Sequence, residues 1–310
     1  MKNLKLFNKK LIYLCIISAL LFGLVRIYYS LTDDFRISNI TYQMPYHPEW
    51  ETVKLSAEEQ QQLNQILSQK FHYIGKGSQS YAFGSDDGRY VIKFFKFKHL
   101  RPSLLFGILP KLPFISNFQE REIFRKKRKL NSNFAGYKLA FDRNREGSRL
   151  IYVQLNPSRL DHFVTVVDKI GMERAVNLGN IPYIVQEKGQ TLRTLLGESL
   201  SQGDVEAAKQ KINQIFDMYL KEYSKGIYDH DHGVMHNTGF IGDEVFHLDI
   251  GKLVAKEQMK QQEYYEPDLI LVANKIDQWV KDHYPKEHPE IRQAMETRLS
   301  RVFGKEFHFK

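Results

Sequence analysis

Residues 226–240, GIYDHDHGVMHNTGF, place three histidines and two aspartates within the eight positions from Asp229 to His236. Imidazole and carboxylate together make a donor set suited to zinc. The segment, however, comes after a long helical pattern that ends at Gly226, and Gly233 interrupts any second helix. His230, His232 and His236 therefore lack the one-face spacing of a helical zinc motif. The residues downstream point to different chemistry. Asn237 leads into TGFIGDEVFHLDIGKL, which reads as a strand, a Gly-Asp turn, a second strand and then Asp249-Ile250-Gly251. An Asp, an Asn a few residues on, and a hairpin delivering a second Asp before a Gly suit phosphoryl transfer. The first carboxylate orients or deprotonates a hydroxyl. The Asn amide oxygen and the second carboxylate hold magnesium against the phosphates.

Such a site needs elements to position it. From Phe71 the chain turns to strand patterns: FHYIGKG and RYVIKFFKF are rich in aromatic and β-branched residues, and SDDG between them supplies turn chemistry. RLIYVQL, HFVTVVDKI and IPYIVQEKG are further strand candidates, and SNFQE at 116–120 opens a helix with capping-box spacings. From Gly189 the pattern is mostly helical, with TLRTLLGESL, DVEAAKQKINQIFDMYLKEYSKG and helices near 266–284 and 287–302.

In this order the residues resemble the protein-kinase-like superfamily, over about residues 71–254. Asp231, Asn237 and LDIGKL stand where that superfamily has its catalytic loop and its Asp-Phe-Gly motif. YIGKGSQSYAF is similar to the glycine-rich loop, YVIKFFK to the third strand with its lysine, and YIVQEKGQTL to the hinge between lobes. The resemblance implies an α+β, two-lobed fold, an antiparallel-sheet N-lobe (71–185) and a helical C-lobe (186–310). It implies ATP and magnesium as cofactors, with Asp231 and Lys93 catalytic. Gly75, Gly77, Ser78, Lys93, Glu120 and Glu187 would bind nucleotide, and Asn237 and Asp249 would bind the metal. Lys93 would pair with a glutamate of the next helix. Glu120 lies nearer than Glu122 to the apolar face formed by Ile123, Leu130, Phe134 and Tyr137.

The departures are specific. Protein kinases place four residues between the catalytic Asp and the Asn, whereas five separate Asp231 from Asn237, and Asp229 competes as the base. Ser80 replaces the third glycine, and no Ala-Pro-Glu segment comes after Asp249. The pattern fits small-molecule and lipopolysaccharide-sugar kinases better than protein kinases. It leaves open a catalytically inactive pseudokinase acting as a membrane-tethered scaffold.

The N-terminus carries its own signal. After a basic stretch (1–10) with Lys2, Lys5, Lys9 and Lys10, fifteen uncharged residues run from Leu11 to Val25. Arg26 interrupts before IYYSL, so 11–31 reaches the roughly 20 residues a bilayer needs. A single transmembrane anchor is expected there, with a cleaved signal peptide as the rival reading. The lysine excess places the N-terminus in the cytoplasm and the kinase-like domain on the opposite side, where a domain would ordinarily meet no ATP. Residues 32–70 read as an irregular linker, with Pro45 and Pro48, and then a helix with Ser56 and Glu59 in capping-box spacing.

Three proline residues break the apolar stretch 99–115, which reads as a packed loop or one that dips into the membrane interface beside RKKRK. The net charge of +9 invites an anionic lipid or glycan acceptor. No basic segment is interleaved with aromatics, so nucleic acid is not an expected partner. The single cysteine, Cys15, lies in the apolar segment and excludes an intrachain disulfide.

Overall fold

The computed structural model describes residues 2–100, 113–158 and 162–310. Most of the proline-broken stretch, residues 101–112, lies outside the described residues. Helix α1 (Lys2–Leu31) contains Leu11–Leu31, long and apolar enough to cross a membrane, with mean hydropathy 2.2 and no burial against the protein. The short α2 (Ile37–Ile40) and α3 (Ala57–Leu67) come next. At the start of α3 the capping box forms as expected: Ser56 Oγ accepts the Glu59 N–H, and the Glu59 carboxylate accepts the Ser56 N–H.

The N-lobe continues with β1 (Lys70–Lys76), β2 (Ser80–Ser85) and β3 (Tyr90–Phe95), then α4 (Phe97–Leu100), α5 (Pro113–Arg143) and α6 (Arg145–Ser148). Strands β4 (Leu150–Gln154), β5 (Phe163–Val167), β6 (Glu173–Asn177) and β7 (Tyr183–Glu187) complete a seven-stranded sheet, ordered β4-β7-β3-β2-β1-β5-β6. The sheet is mixed rather than wholly antiparallel, because β5 pairs in parallel with β1 through Phe71 and Val166.

Side-chain alternation on β3 divides the lobe. Ile92 and Phe94 join Leu63 and Ile66 of α3 on the outer face, while Phe95 packs on Phe134 and Tyr137 of α5. Lys93 shares the parity of Phe95 and so faces the α5 side, toward the cleft.

The segment 32–54, expected as an irregular linker, is instead part of this lobe. Phe35 is fully buried, with its ring edge-on to Tyr81 and Phe83, and Ile40 joins the same cluster. Met44 and Trp50 enter the cluster around α5. Pro45 and Pro48 exclude regular structure but not packing. Burying one such phenylalanine contributes about 1.5–3 kcal/mol.

The C-lobe comprises β8 (Gln190–Thr191), α7 (Leu192–Ser201), α8 (Val205–Ser224), β9 (Ile227–Asp229), α9 (Val234–Asn237), β10 (Thr238–Ile241), β11 (Glu244–His247), β12 (Leu253–Ala255), α10 (Gln262–His283) and α11 (His288–Phe303). Asp204 caps α8 by accepting the Ala207 N–H. Ala208, Ile212, Ile215, Phe216, Tyr219 and Tyr223 then bury one stripe of α8 against α7, α10 and α11. Two strand pairs frame the loop of interest. β9 pairs with β12, and β10 pairs with β11 through Thr238 and His247. The turn between β10 and β11 needs Gly242 in the left-handed region, with φ +58°.

Candidate active site

The β10–β11 hairpin folds the end of the histidine-rich loop onto the segment that carries Asp249. The Asn237 carbonyl accepts the Leu248 N–H at 2.7 Å and the Asp249 N–H at 3.3 Å. Lys93 reaches the same place from β3: its ammonium donates to the Leu248 carbonyl and, at 2.7 Å, to Gln186 Oε1 of β7. Gln186 is itself fixed, since its amide donates to the Ser148 and His247 carbonyls at 2.6 and 2.8 Å. Lys93, Asn237 and Asp249, more than a hundred residues apart in sequence at the extremes, thus converge at the junction of the lobes.

Helix α5 packs closely on this turn. A Cβ added to Gly136 would stand 2.8 Å from the Ile250 carbonyl oxygen, so only glycine permits the approach. At the next residue, the Tyr137 hydroxyl meets the exposed Asp249 carboxylate, and burial with that charge pushes its pKa well above the ordinary value. Burial lowers the Lys93 ammonium to about 8, against the opposing pull of Asp249.

The expected Lys93–Glu120 pair does not form. Glu120 is exposed on α5, Glu122 pairs with Arg125 at 2.9 Å, and the Lys93 hydrogen bonds go to Gln186 and Leu248. The reason is register. α5 starts at Pro113 and meets the cleft around Asn133–Tyr137, about 20 Å farther along the axis than Glu120.

In the loop itself, Asp229 is buried and Asp231 exposed. Asp229 Oδ1 accepts the Asp231 N–H at 2.9 Å, while its Oδ2 has no hydrogen-bond partner among the described residues. Burial raises the Asp229 pKa, and His247 partly opposes that shift. The three histidines disperse. His232, at φ +52°, pairs with Asp268 of α10, and its carbonyl accepts Lys275 Nζ at 2.7 Å. His236 stands 3.3 Å from Arg193, and His230 lies exposed beside Tyr228. Among the described residues no group of three or more His, Cys, Asp or Glu side chains could hold a metal.

Behind the loop lies a buried polar network. His247 Nε2 bonds Glu222 Oε2 at 2.8 Å, and Glu222 Oε1 accepts Asn144 Nδ2 at 2.7 Å. The Asn144 side-chain oxygen accepts Lys225 Nζ at 2.8 Å. Burial alone would depress the His247 pKa, but Glu222, with help from Asp229 and Asp249, more than offsets it and holds the imidazole near 9.

At the mouth of the cleft, Gly75 closes the bulged end of β1, and the Gly77 N–H donates to the Ser80 carbonyl at 2.9 Å beside the exposed Ser78. Lys96, unread in the sequence, holds this loop from beneath by donating to the Gly77 carbonyl. Glu187, at the end of β7, donates its N–H to the Arg149 carbonyl at 3.0 Å. Ile74 is half-exposed and rests on Gly84 beside the Lys188 ammonium. Gln186, Lys96, Ile74 and Tyr137 carry no motif signature. Among them only Lys96, a cation set within the aromatic run FFKF, stands out by residue type.

The chain is α+β, with a mixed-sheet N-lobe and a helical C-lobe that meet where Lys93 reaches the Leu248 carbonyl. Neither a family model nor a curated protein matches the chain. Among solved structures, a high-resolution crystal structure of WbdD is similar at 17% identity over 66% of this chain and 37% of that chain, with TM-score 0.36. A medium-resolution structure of the bifunctional kinase-methyltransferase WbdD gives 14% identity over 64% and 34%, with TM-score 0.32. The streptomycin–ATP–APH(2")-IIa ternary complex gives 13% identity over 82% and 90%, with TM-score 0.23. The chain covers little more than a third of the WbdD chains.

Proposed function

We propose that the chain is a membrane-anchored phosphotransferase that uses ATP and magnesium to phosphorylate a hydroxyl of a glycan, lipid or small molecule. The observation that carries this reading is the convergence of Lys93, Asn237 and Asp249 through the Leu248 backbone. The Asp249 carboxylate and Asn237 amide oxygen are hard donors on adjacent backbone, and magnesium takes few protein ligands and keeps several waters, so this pair fits it. Magnesium would neutralise charge developing on the phosphates.

The residues of the chain do the rest. Lys93, near 8, is held fully charged by an adjacent polyphosphate and pairs with its oxygens. The turn that carries Gly75, Gly77 and Ser78 covers the phosphates, and Ile74 lines the base side; Glu187, expected there, shares the parity of Tyr183 and Val185 on the outer face and stays outside the site. Asp231, exposed and with its amide fixed by Asp229, orients the acceptor hydroxyl and takes its proton. Leu11–Leu31 anchors the domain in a membrane, and the lysines before it favour a cytoplasmic N-terminus.

A second reading, a nucleotide-binding or inert scaffold, is favoured by one observation: Lys93 is held by Gln186 and a carbonyl rather than by a carboxylate. Thermal unfolding of the full-length chain in detergent separates the two. Saturating ATP with magnesium should stabilise the wild type by about 2–3 kcal/mol at a hundredfold excess over Kd, and Asp249→Ala should abolish the shift. Labelled phosphate transferred by the wild type and lost in Asp231→Asn establishes the enzyme. A shift without transfer establishes the scaffold, and no shift at all sinks the nucleotide site.

A further inference from the structure

We infer that the turn joining β5 and β6 sits in the headgroup boundary of the bilayer that carries α1, with Ile170 and Met172 inserted. The inference rests on the reading of Leu11–Leu31 as a membrane-embedded helix. Two contacts fix the turn at the level where that helix ends. Arg174 of β6 donates to the hydroxyl of Tyr28, in the last turn of α1. Lys169 donates to Asp33, two residues beyond α1, at 3.0 Å. The same Asp33 accepts Lys76 at 2.9 Å and the Tyr73 hydroxyl at 3.0 Å, which ties β1 to the same point.

The turn is rigid. Asp168 Oδ1 accepts the N–H groups of Ile170 and Met172 at 3.1 and 3.0 Å, and the Asp168 carbonyl accepts that of Gly171 at 2.9 Å. Gly171 lies at φ +85°, where a side chain would be strained. Asp168 also binds Arg174, so the residue that shapes the turn and the residue that reaches Tyr28 are joined. On the strands behind it, Val164, Val166 and Val176 are buried in the outer-face core. Ile170 and Met172 are 43% and 48% exposed and contribute nothing to that core.

The apolar tip lies between Lys169 and Glu173, whose charge is matched by Lys70 at 2.5 Å, with Arg174 next in the strand; the apolar groups enter, and the long cations stay at headgroup level. The bilayer is the occupant because the tip is tied to the residues where α1 leaves it. Lys76, next to Gly75 and Gly77, shares Asp33 with the turn, so the phosphate-covering loop is held at a fixed height over the membrane. An acceptor carried by that membrane would meet the cleft without leaving the surface.

The test uses the full-length Cys15→Ser chain in mixed phosphatidylcholine–phosphatidylglycerol vesicles. A polarity-sensitive fluorophore is placed singly through Ile170→Cys, Met172→Cys, Leu20→Cys or Thr297→Cys. Lipids bear a quencher either near the headgroup or near the acyl terminus. Labels at 170 and 172 should lose about half their emission to the shallow quencher, consistent with insertion of about 5–10 Å. The label at 20 should respond to the deep quencher, and the label at 297, on α11 of the C-lobe, to neither. Labels at 170 and 172 that behave like 297 while 20 is quenched overturn the inference and leave the anchor intact. If 20, 170 and 172 all stay unquenched, anchor and inference fall together. Quenching at 170 and 172 with none at 20 also overturns the inference, because the turn would then meet the surface without the span that was to hold it there.

Discussion

Asp229 and Asp231 lie two residues apart on one loop, and the fold gives them opposite environments. Asp229 is buried, its Oδ1 fixing the loop backbone and its charge drawn toward His247, while Asp231 is exposed. The contrast extends to their surroundings. Behind Asp229 a closed network runs through His247, Glu222, Asn144 and Lys225. Asp231 and the Asp249 carboxylate are both exposed. Charges that read alike by residue type divide into a buried set that holds the loop and an exposed set available for ligands. The buried set is where substitutions should cost stability, and the exposed set is where they should cost only function.

The largest effect should come from Glu222→Ala. It leaves the His247 imidazolium and the Asn144 amide buried without their partner, at a cost of about 3–5 kcal/mol in urea-induced unfolding. A loss under about 1 kcal/mol would mean that the network does not hold the loop.

The pH dependence sharpens the same point. The folded His247 pKa, near 9, lies above its ordinary 6.5, so its contribution is fully present below pH 6.5 and is lost as pH rises through 9. Lys93 and Lys96 have folded values near 8, below their ordinary 10.5, so their penalty is present below 8 and relieved as pH rises toward 10.5. Stability should therefore fall between pH 6.5 and 8 and level off or recover above that. His247→Gln should flatten the first limb, on the order of 1–2 kcal/mol. An unchanged slope in the variant would remove the charged His247–Glu222 pair from the account.

Lys93→Met tests the cleft itself. The wild-type ammonium is desolvated without a bonded carboxylate, so its replacement by an apolar chain of similar length should change stability by no more than about 1 kcal/mol, or raise it. Any ATP-dependent thermal shift should disappear at the same time. A large loss of stability would show that Lys93 is a structural strut.

The same division explains what is legible in the sequence. Local signals are sufficient for the capping box at Ser56, the strands at 150–154, 163–167 and 183–187, and the hairpin that presents Asp249. Each depends on residues a few positions apart. Long-range pairing leaves no such mark. The parallel β1–β5 contact joins Phe71 to Val166, and Phe35 finds Tyr81 and Phe83 only once the sheet exists. Helical periodicity locates the apolar face of α5 but not which turn of that face reaches the cleft, so it points to Glu120 where Asn133–Tyr137 arrive. Gln186, as one residue of an apolar strand, has no feature that marks it as the partner of Lys93.

The smallest stability effects fall on the loop pair itself. Asp229→Ala removes the acceptor of the Asp231 N–H from a buried site and should cost about 1–3 kcal/mol. Asp231→Asn changes an exposed side chain and should stay within about 0.5 kcal/mol. Measured side by side in urea, the two separate holding from acting. If Asp231→Asn were the costlier change, the exposed carboxylate would be part of the scaffold, and the spacing to Asn237 would have to be read from Asp229 outward. If Asp231→Asn leaves stability intact and removes phosphate transfer, the extra residue in the loop serves to lift one aspartate clear of the network that secures the other.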